Sequence, residues 1–231
     1  MVERLLGGVA PQLMVTDPPY GVSFMRRNRH DPRDVAQGAT LQEIRIKNDH
    51  RASWSRSYEL SGAPVAYVWF SSILGDVVYQ SLRDANYQIR QQVVWVKNVM
   101  VLGRAAYHWK HEAAAYAVRV DSTAEWKGDR KQTTVWEESI VPPKQRIHPT
   151  QKPLGLWRRP ILNHTVSGDG IYDPFCGSGT VFMAAEETGR VAFGIELEPV
   201  ACMKIFERYA AETGTEPVLV ENVFKHKAKR A

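Results

Sequence analysis

Along this chain, unbroken apolar runs alternate with stretches whose apolar residues recur every three or four positions. Short runs bounded by turn residues fit buried strands, and the 3.6-residue spacing fits helices laid on a sheet. "PQLMVT" (11–16) and "PVAYVWF" (64–70) are read as buried strands. "ILGDVVYQSLRDA" (73–85) gathers Ile73, Leu74, Val77, Val78 and Leu82 on one helical face. "YQIRQQVVWVK" (87–97) carries Ile89, Val93 and Trp95 on one parity, the mark of a strand. "EAAAYAVR" (112–119) is read as its partner, although its alanines also suit a helix.

The C-terminal third reads as β-α-β-α-β. "GIYDPFCGSGT" (170–180) is a strand and a glycine-rich turn, and "VFMAAEETG" (181–189) is a helix closed by Gly189. Then come a strand "RVAFGIE" (190–196), a helix "PVACMKIFERYAAETG" (199–214) and a third strand "PVLVENV" (217–223). This alternation predicts an α/β fold: a doubly wound, mostly parallel sheet covered on both faces, in one domain spanning 1–231. Residues 21–62 and 121–150 are expected to be irregular and outside the core. The first stretch is rich in cations (Arg26, Arg27, Arg29, Arg33, Arg45, Lys47), and the second holds Trp126, Trp136 and two prolines.

Composition narrows the class. The 231 residues, 44% hydrophobic, suffice for one well-cored domain. No run approaches the roughly 18 apolar residues of a membrane span, and no signal peptide is evident, so a soluble cytoplasmic protein is expected. Cys176 and Cys202 make no disulfide framework. Thirty Lys and Arg against 25 Asp and Glu give +5, which suits a polyanionic partner without demanding one.

Two junctions, "LMVTDPPY" and "GIYDPFCGSGT", are apolar strands ending in Asp-Pro. Open α/β sheets bind ligands beyond the carboxyl ends of their strands, so two such acids on neighbouring strands overlook one crevice. In the second junction, Gly177 and Gly179 let a ligand lie against bare backbone near a helix N-terminus. Glu196 follows about 20 residues on, where an acid typically bonds ribose hydroxyls. The third glycine of the dinucleotide fingerprint is missing, which points to a nucleoside; a tight turn with a surface glutamate is the plainer reading. In the first junction, Pro18 and Pro19 fix φ and lack N–H groups, so the Asp17 carboxylate and the Pro18 carbonyl form two set acceptors. They match the two N–H donors of an exocyclic amino group, and Tyr20 offers a flat face to a planar base. A strand-end turn with an exposed aspartate is the alternative.

Taken together, the chain resembles the S-adenosylmethionine-dependent amino DNA methyltransferases of the β-ordered group, in which the catalytic motif precedes the cofactor motif. It is similar to phage-type and ParB-associated DNA modification methylases. The matching stretches, in order, are "TDPPYG" (16–21), "IKND" (46–49), "VAYVWFSS" (65–72), "QQVVWVK" (91–97), "YHWKHEAAAYAVR" (107–119), "HPTQKP" (148–153), "DPFCGSGT" (173–180) and "GIELEP" (194–199). The resemblance implies a Rossmann-like class I methyltransferase fold with a small target-recognition insertion at 121–147, a catalytic half at 1–120 and a cofactor half at 148–231. It implies that Asp17, Pro18 and Pro19 hold the target amino nitrogen, that Tyr20 stacks on the flipped base, and that Tyr107 or Trp109 supplies the other wall. Asp173, Phe175, Gly177 and Gly179 would shape the S-adenosylmethionine pocket, Glu196 would take the ribose, and Thr150, Gln151 and Lys152 would reach the methionine end.

His108, His111 and Glu112 have near-ligand spacing, but their position has a role in the family and no metal is expected. Cys176 lies in the cofactor loop, which argues against a cytosine-C5 nucleophile. In the family, Asp before Pro-Pro-Tyr leans to adenine N6 and Ser there leans to cytosine N4. Methylation of adenine in double-stranded DNA is therefore expected, with cytosine N4 transfer and a non-catalytic DNA-binding remnant as the alternatives. The short recognition segment, helped by the arginine-rich 21–47, implies a short or relaxed target sequence. Dimerisation follows only by analogy with the β-ordered group. One departure stands out: similar proteins carry a strand ending in Gly-Asp just before the helix matching "VERLLGG" (2–8), and here Met1 falls inside that helix. Either "PVLVENV" (217–223), with Glu221 or Asn222, takes its place, or the cofactor is held weakly.

Overall fold

The computed structural model describes residues 2–21, 25–26, 44–45, 49–102, 106–146 and 151–220. Its strands are β1 (Leu13–Thr16), β2 (Met25–Arg26), β3 (Ile44–Arg45), β4 (Val65–Phe70), β5 (Tyr87–Val101), β6 (Trp109–Arg119), β7 (Val135–Glu138), β8 (Gly170–Asp173) and β9 (Val191–Gly194). The helices are α1 (Val2–Leu6), α2 (Ser55–Glu59), α3 (Gly75–Asp84), α4 (Gly155–His164), α5 (Thr180–Thr188) and α6 (Pro199–Thr213). Seven strands form one sheet in the order β7-β5-β6-β4-β1-β8-β9. β6 runs antiparallel to β4 and β5, and the other pairings are parallel. This is the doubly wound α/β architecture that the alternating pattern predicts.

The three uninterrupted apolar runs become β1, β4 and β8 because these strands lie at the centre, buried on both faces. Side chains leave alternate faces of each strand. Met14 joins Ala66, Val68, Phe70 and the β6 alanines 113, 115 and 117 in a core with Val78 and Leu82 of α3. Leu13 and Val15 join Tyr67, Trp69 and Trp95 in a second core with Leu156, Trp157 and Ile161 of α4 and Val181 and Ala184 of α5. The alanine run is thus a strand, its small side chains filling one face of the sheet.

Several expectations need correction. α4 is absent from the sequence reading, because Pro160 looks like a helix break. It costs one backbone hydrogen bond and instead packs inside the helix's buried face. Residues 217–220 are not a strand: Val218, Leu219 and Val220 are 83%, 75% and 95% exposed, and the rest of 217–223, with Glu221 and Asn222, lies outside the described residues. The two "irregular" stretches contribute to the core through Trp54, Tyr58 and Trp136. Arg27, Arg29, Arg33, Lys47 and Thr150 lie outside the described residues.

The stretch expected to carry target recognition, 121–147, touches both edges of the sheet. Lys127 N donates to Asn163 O (2.6 Å), the Gln132 and Asn163 amides pair (2.7 Å), and the Trp126 ring meets His164 edge-on. These contacts put residues 126–132 at the C-terminal end of α4, beside the edge where the parallel strands begin. Asp17 sits where β1 ends. β7 then carries the chain back, with Glu138 opposite Lys97 and Ile140 N bonded to Asn98 Oδ1 at 3.0 Å. Only 139–146 of the described insertion reaches the carboxyl edge.

Candidate active site

β1 and β8 are hydrogen-bonded neighbours, so the two Asp-Pro junctions meet as the motifs require. Thr16 Oγ1 donates to Asp173 Oδ1 at 2.7 Å, and Phe175 N donates to the same oxygen at 3.1 Å. Asp173 is therefore a buried clasp between the strand ends. Burial pushes its carboxyl up to about 7, against the opposing pull of these donors.

The Asp-Pro-Pro-Tyr-Gly loop is fastened from outside. Gly21 N donates to Asp49 Oδ1 (2.7 Å) and Trp54 Nε1 donates to the Pro19 carbonyl (3.2 Å). Gly21 has φ +77°, and a Cβ there would stand 2.9 Å from the Arg51 carbonyl carbon, so only glycine fits. Trp54 also meets Phe175 edge-on at 4.7 Å, tying the first junction to the second. Trp54 is a site residue that sequence reading missed; its only signal is an indole amid otherwise polar residues.

Asp17 is ion-paired through Oδ2 to the Lys152 ammonium. Its Oδ1 is buried and accepts no hydrogen bond among the described residues. Nor does any described residue donate to the Pro18 carbonyl. Lys152 also reaches Tyr20 Oη (2.8 Å) and Glu112 Oε2 (3.2 Å), and Lys97 pairs with Glu112 Oε1 at 2.5 Å. Burial acts first on each of these groups, and the partners decide the outcome. Lys152 is raised by Asp17 and Glu112 despite burial, so it is an ammonium at neutral pH. Glu112 is held at about 2 by Lys152 and Lys97, although burial alone would push it up. Tyr20 is pushed well up by burial and by the neighbouring Asp17 and Glu112, so it is a neutral phenol.

Lys152, expected at the methionine end of the cofactor, therefore contacts Asp17 and Tyr20 of the Asp-Pro-Pro-Tyr-Gly loop. Glu112, weighed beside His108 and His111 only as a metal ligand, pairs with two lysines. Among the described rings, neither Tyr107 nor Trp109 pairs with Tyr20. Trp109 shares its strand face with His111, 5.3 Å away, and strand alternation turns both from Glu112. Tyr107 is 91% exposed.

On the other side of the β1–β8 crevice, a cavity of about 320 Å³ is lined by Arg4, Leu5, Phe182, Ile195, Glu196 and Phe206, among others. Gly177 has φ +50°, and a Cβ there would meet only the Phe175 carbonyl at 3.8 Å, so its backbone is open. Gly179 differs: with φ +72°, its missing Cβ makes room for Ile205 of α6, 2.8 Å away. Glu196 accepts Gly177 N at 2.9 Å and the Leu197 and Glu198 N–H groups, both at 2.8 Å. Its carboxylate thus rims the cavity and folds the loop around itself. Gln151 is half-buried immediately before Lys152.

A family model described as DNA methylase matches residues 42–207, most of the chain. The chain belongs to the DNA methylase family. This methylase is 27% identical over 250 residues to the type II methyltransferase M2.MboI of Moraxella bovis, covering 94% of this chain and 86% of that protein. It is 26% identical over 219 residues to the type II methyltransferase M2.LlaDCHI of Lactococcus lactis subsp. cremoris, covering 84% and 81%. Its fold matches the M1.HpyAVI–SAM complex with a TM-score of 0.65 at 22% identity, over 90% of this chain and 94% of that one. A cytosine-N4-specific PvuII DNA methyltransferase shares the methylase fold with a TM-score of 0.59 at 13% identity, over 88% and 83%. No helix among its described residues is long and apolar enough to cross a membrane.

Proposed function

We propose that this DNA methylase transfers a methyl group from S-adenosylmethionine to the exocyclic N6 of adenine in double-stranded DNA. The observation that carries the reading is the buried, unpartnered Oδ1 of Asp17, beside the Pro18 carbonyl and across the β1–β8 junction from an open glycine turn. A buried acceptor without a donor is costly unless a ligand supplies one. The two acceptors suit the two hydrogens of an amino group. Aspartate at position 17, where similar enzymes acting on cytosine carry serine, favours adenine.

The cofactor half suits a nucleoside-bearing cofactor. Its cavity volume falls within the range of about 300–1,000 Å³ usual for small-molecule sites. Its walls are mainly apolar, a carboxylate stands at the rim, and that carboxylate accepts the N–H of Gly177 in the adjoining open turn. When bound, S-adenosylmethionine supplies an electrophilic sulfonium methyl. Everything else falls to the chain. The amino nitrogen's lone pair is delocalised into the base, and acceptance of its hydrogens by Asp17 Oδ1 and the Pro18 carbonyl localises density on nitrogen and orients it. Asp17 Oδ1 is also placed to take the proton that the methylated nitrogen must lose. Lys152 keeps Oδ2 occupied meanwhile. The target base must leave the duplex stack, at a few kcal/mol, and stacking on Tyr20 returns about 1–3 kcal/mol.

For sequence recognition, the segments best placed are those at the carboxyl edge: the β5–β6 hairpin tip, with exposed Met100, Leu102 and Tyr107, and residues 139–146. Segment 126–132 lies at the C-terminal end of α4, by the opposite edge of the sheet. Dimerisation, by analogy with the β-ordered group, is tested by sedimentation. The decisive assay combines unmethylated duplex DNA, labelled cofactor and mass spectrometry of the nucleosides, with Asp17→Ala alongside. N6-methyladenine that vanishes in the variant supports the reading. N4-methylcytosine overturns the base assignment, and no methylated base overturns the activity.

A further inference from the structure

We infer that Glu112, backed by Lys97, is a positioning residue of the methyl-transfer site: it draws the Tyr20 and Lys152 donors to itself and so keeps Asp17 Oδ1 open for the incoming amine. The inference rests on the reading of Asp17 as the group that receives that amine. Glu112 projects from β6, one strand beyond β4 and two from β1, yet its carboxylate closes the network around the catalytic loop.

Both its oxygens are committed. Oε2 accepts from Tyr20 Oη at 3.0 Å and is ion-paired with Lys152 Nζ at 3.2 Å, and Oε1 takes the Lys97 ammonium at 2.5 Å. An ammonium has three donors and no acceptor. Lys152 has three partners here: it donates to Asp17 Oδ2 and Tyr20 Oη and is ion-paired with Glu112 Oε2. Because Lys152 can only donate to the phenol, the Tyr20 hydroxyl hydrogen is left for a carboxylate, and it goes to Glu112 Oε2.

Without the Glu112 carboxylate, the Tyr20 hydroxyl loses its acceptor and Lys152 loses one of its two counter-charges. The acceptor left beside them is Asp17, whose Oδ1 is the unfilled atom. Either donor turning to Oδ1 would occupy the position reserved for the target amine and would rotate the carboxylate away from it. Lys97 keeps the charge count even, two carboxylates against two ammonium groups. Its side chain is only 9% exposed, so it has little water to fall back on.

The test uses the full-length chain, a duplex oligonucleotide and labelled S-adenosylmethionine under single-turnover conditions. Wild type comes first: if it forms no methylated amino base, the reading of Asp17 fails, and this inference falls with it. With an active wild type, Glu112→Gln is expected to slow methyl transfer about 10- to 100-fold, the scale of a small misplacement at a reacting centre. Cofactor affinity by calorimetry and the KM for DNA should stay near wild type. Lys97→Met should slow transfer in the same direction by less, and it decides the matter if Glu112→Gln does not fold. A 2-aminopurine at the target position should still brighten on binding, because extrusion of the base does not require Oδ1. Unchanged transfer in the soluble variants overturns the inference. So does a slower rate matched by equal losses of cofactor and DNA binding, which would show a purely structural role.

Discussion

Replacing Lys152 by methionine keeps the aliphatic stem and removes the ammonium. In wild type that ammonium, on a side chain only 4% exposed, compensates Asp17 and Glu112, whose side chains are 19% and 24% exposed. Breaking a buried ion pair by removing one partner costs about 3–5 kcal/mol. Lys97 remains and both carboxylates retain some water, so the expectation lies at the low end, about 3 kcal/mol. At about 2–4 °C per kcal/mol for a domain of this size, the melting temperature should fall by roughly 6–12 °C near neutral pH. The pH dependence adds a second readout. In wild type Glu112 titrates at about 2, below its ordinary 4.5, so its contribution is complete above 4.5 and fades as pH falls toward 2. In the variant, only Lys97 opposes burial, and the Glu112 pKa rises. The deficit of the variant is therefore complete above its Glu112 pKa and shrinks as pH falls from there toward 2, so it should be larger at pH 8 than at pH 3. Differential scanning calorimetry at both pH values checks this. A melting temperature within 2 °C of wild type at pH 8 would refute the view of Lys152 as a required buried counter-ion.

Asp17→Asn should lower the methyl-transfer rate by about 10²- to 10³-fold, with cofactor affinity near wild type by calorimetry. Gly21→Ala forces a side chain into positive φ and to within 2.9 Å of backbone; about 1–3 kcal/mol of strain should appear as a lower melting temperature. An unchanged melt there would mean that the loop is not clamped by residues 49–54. Asp173 titrates at about 7, above its ordinary 3.8, so wild type should lose a few kcal/mol of stability between pH 4 and 7. Asp173→Asn keeps an acceptor for Thr16 and Phe175 and should flatten that slope. Parallel stability curves for the two proteins would contradict the buried, raised carboxyl.

The central strands were legible because burial on both faces demands unbroken apolar runs, and the glycine turn because positive φ leaves few alternatives to glycine. α4 was hidden by Pro160, whose cost is offset by packing that sequence does not display. β7 is four residues long, and only Trp136 among them is fully buried. The Asp-Pro-Pro-Tyr-Gly loop could be singled out from local chemistry: two prolines, one acid, one ring. Its support could not. Lys152 meets Asp17 across 135 residues and Tyr20 meets Glu112 across 92, and no local pattern announces such pairs. "PVLVENV" shows the opposite error: strand-like alternation, yet 217–220 pair with no strand.

The Thr16–Asp173 clasp spans 157 positions of the chain. During synthesis at about 5–20 residues per second, the first junction leaves the ribosome on the order of 10–30 s before the second. Through that interval β1 has no β8 to pair with, and for most of it Asp17 has no lysine either. Such long-range closure also makes for slow folding. Competence to mark DNA is consequently a late event in the life of each molecule: a chain released before β8 carries the Asp-Pro-Pro-Tyr loop but lacks the strand that clasps it.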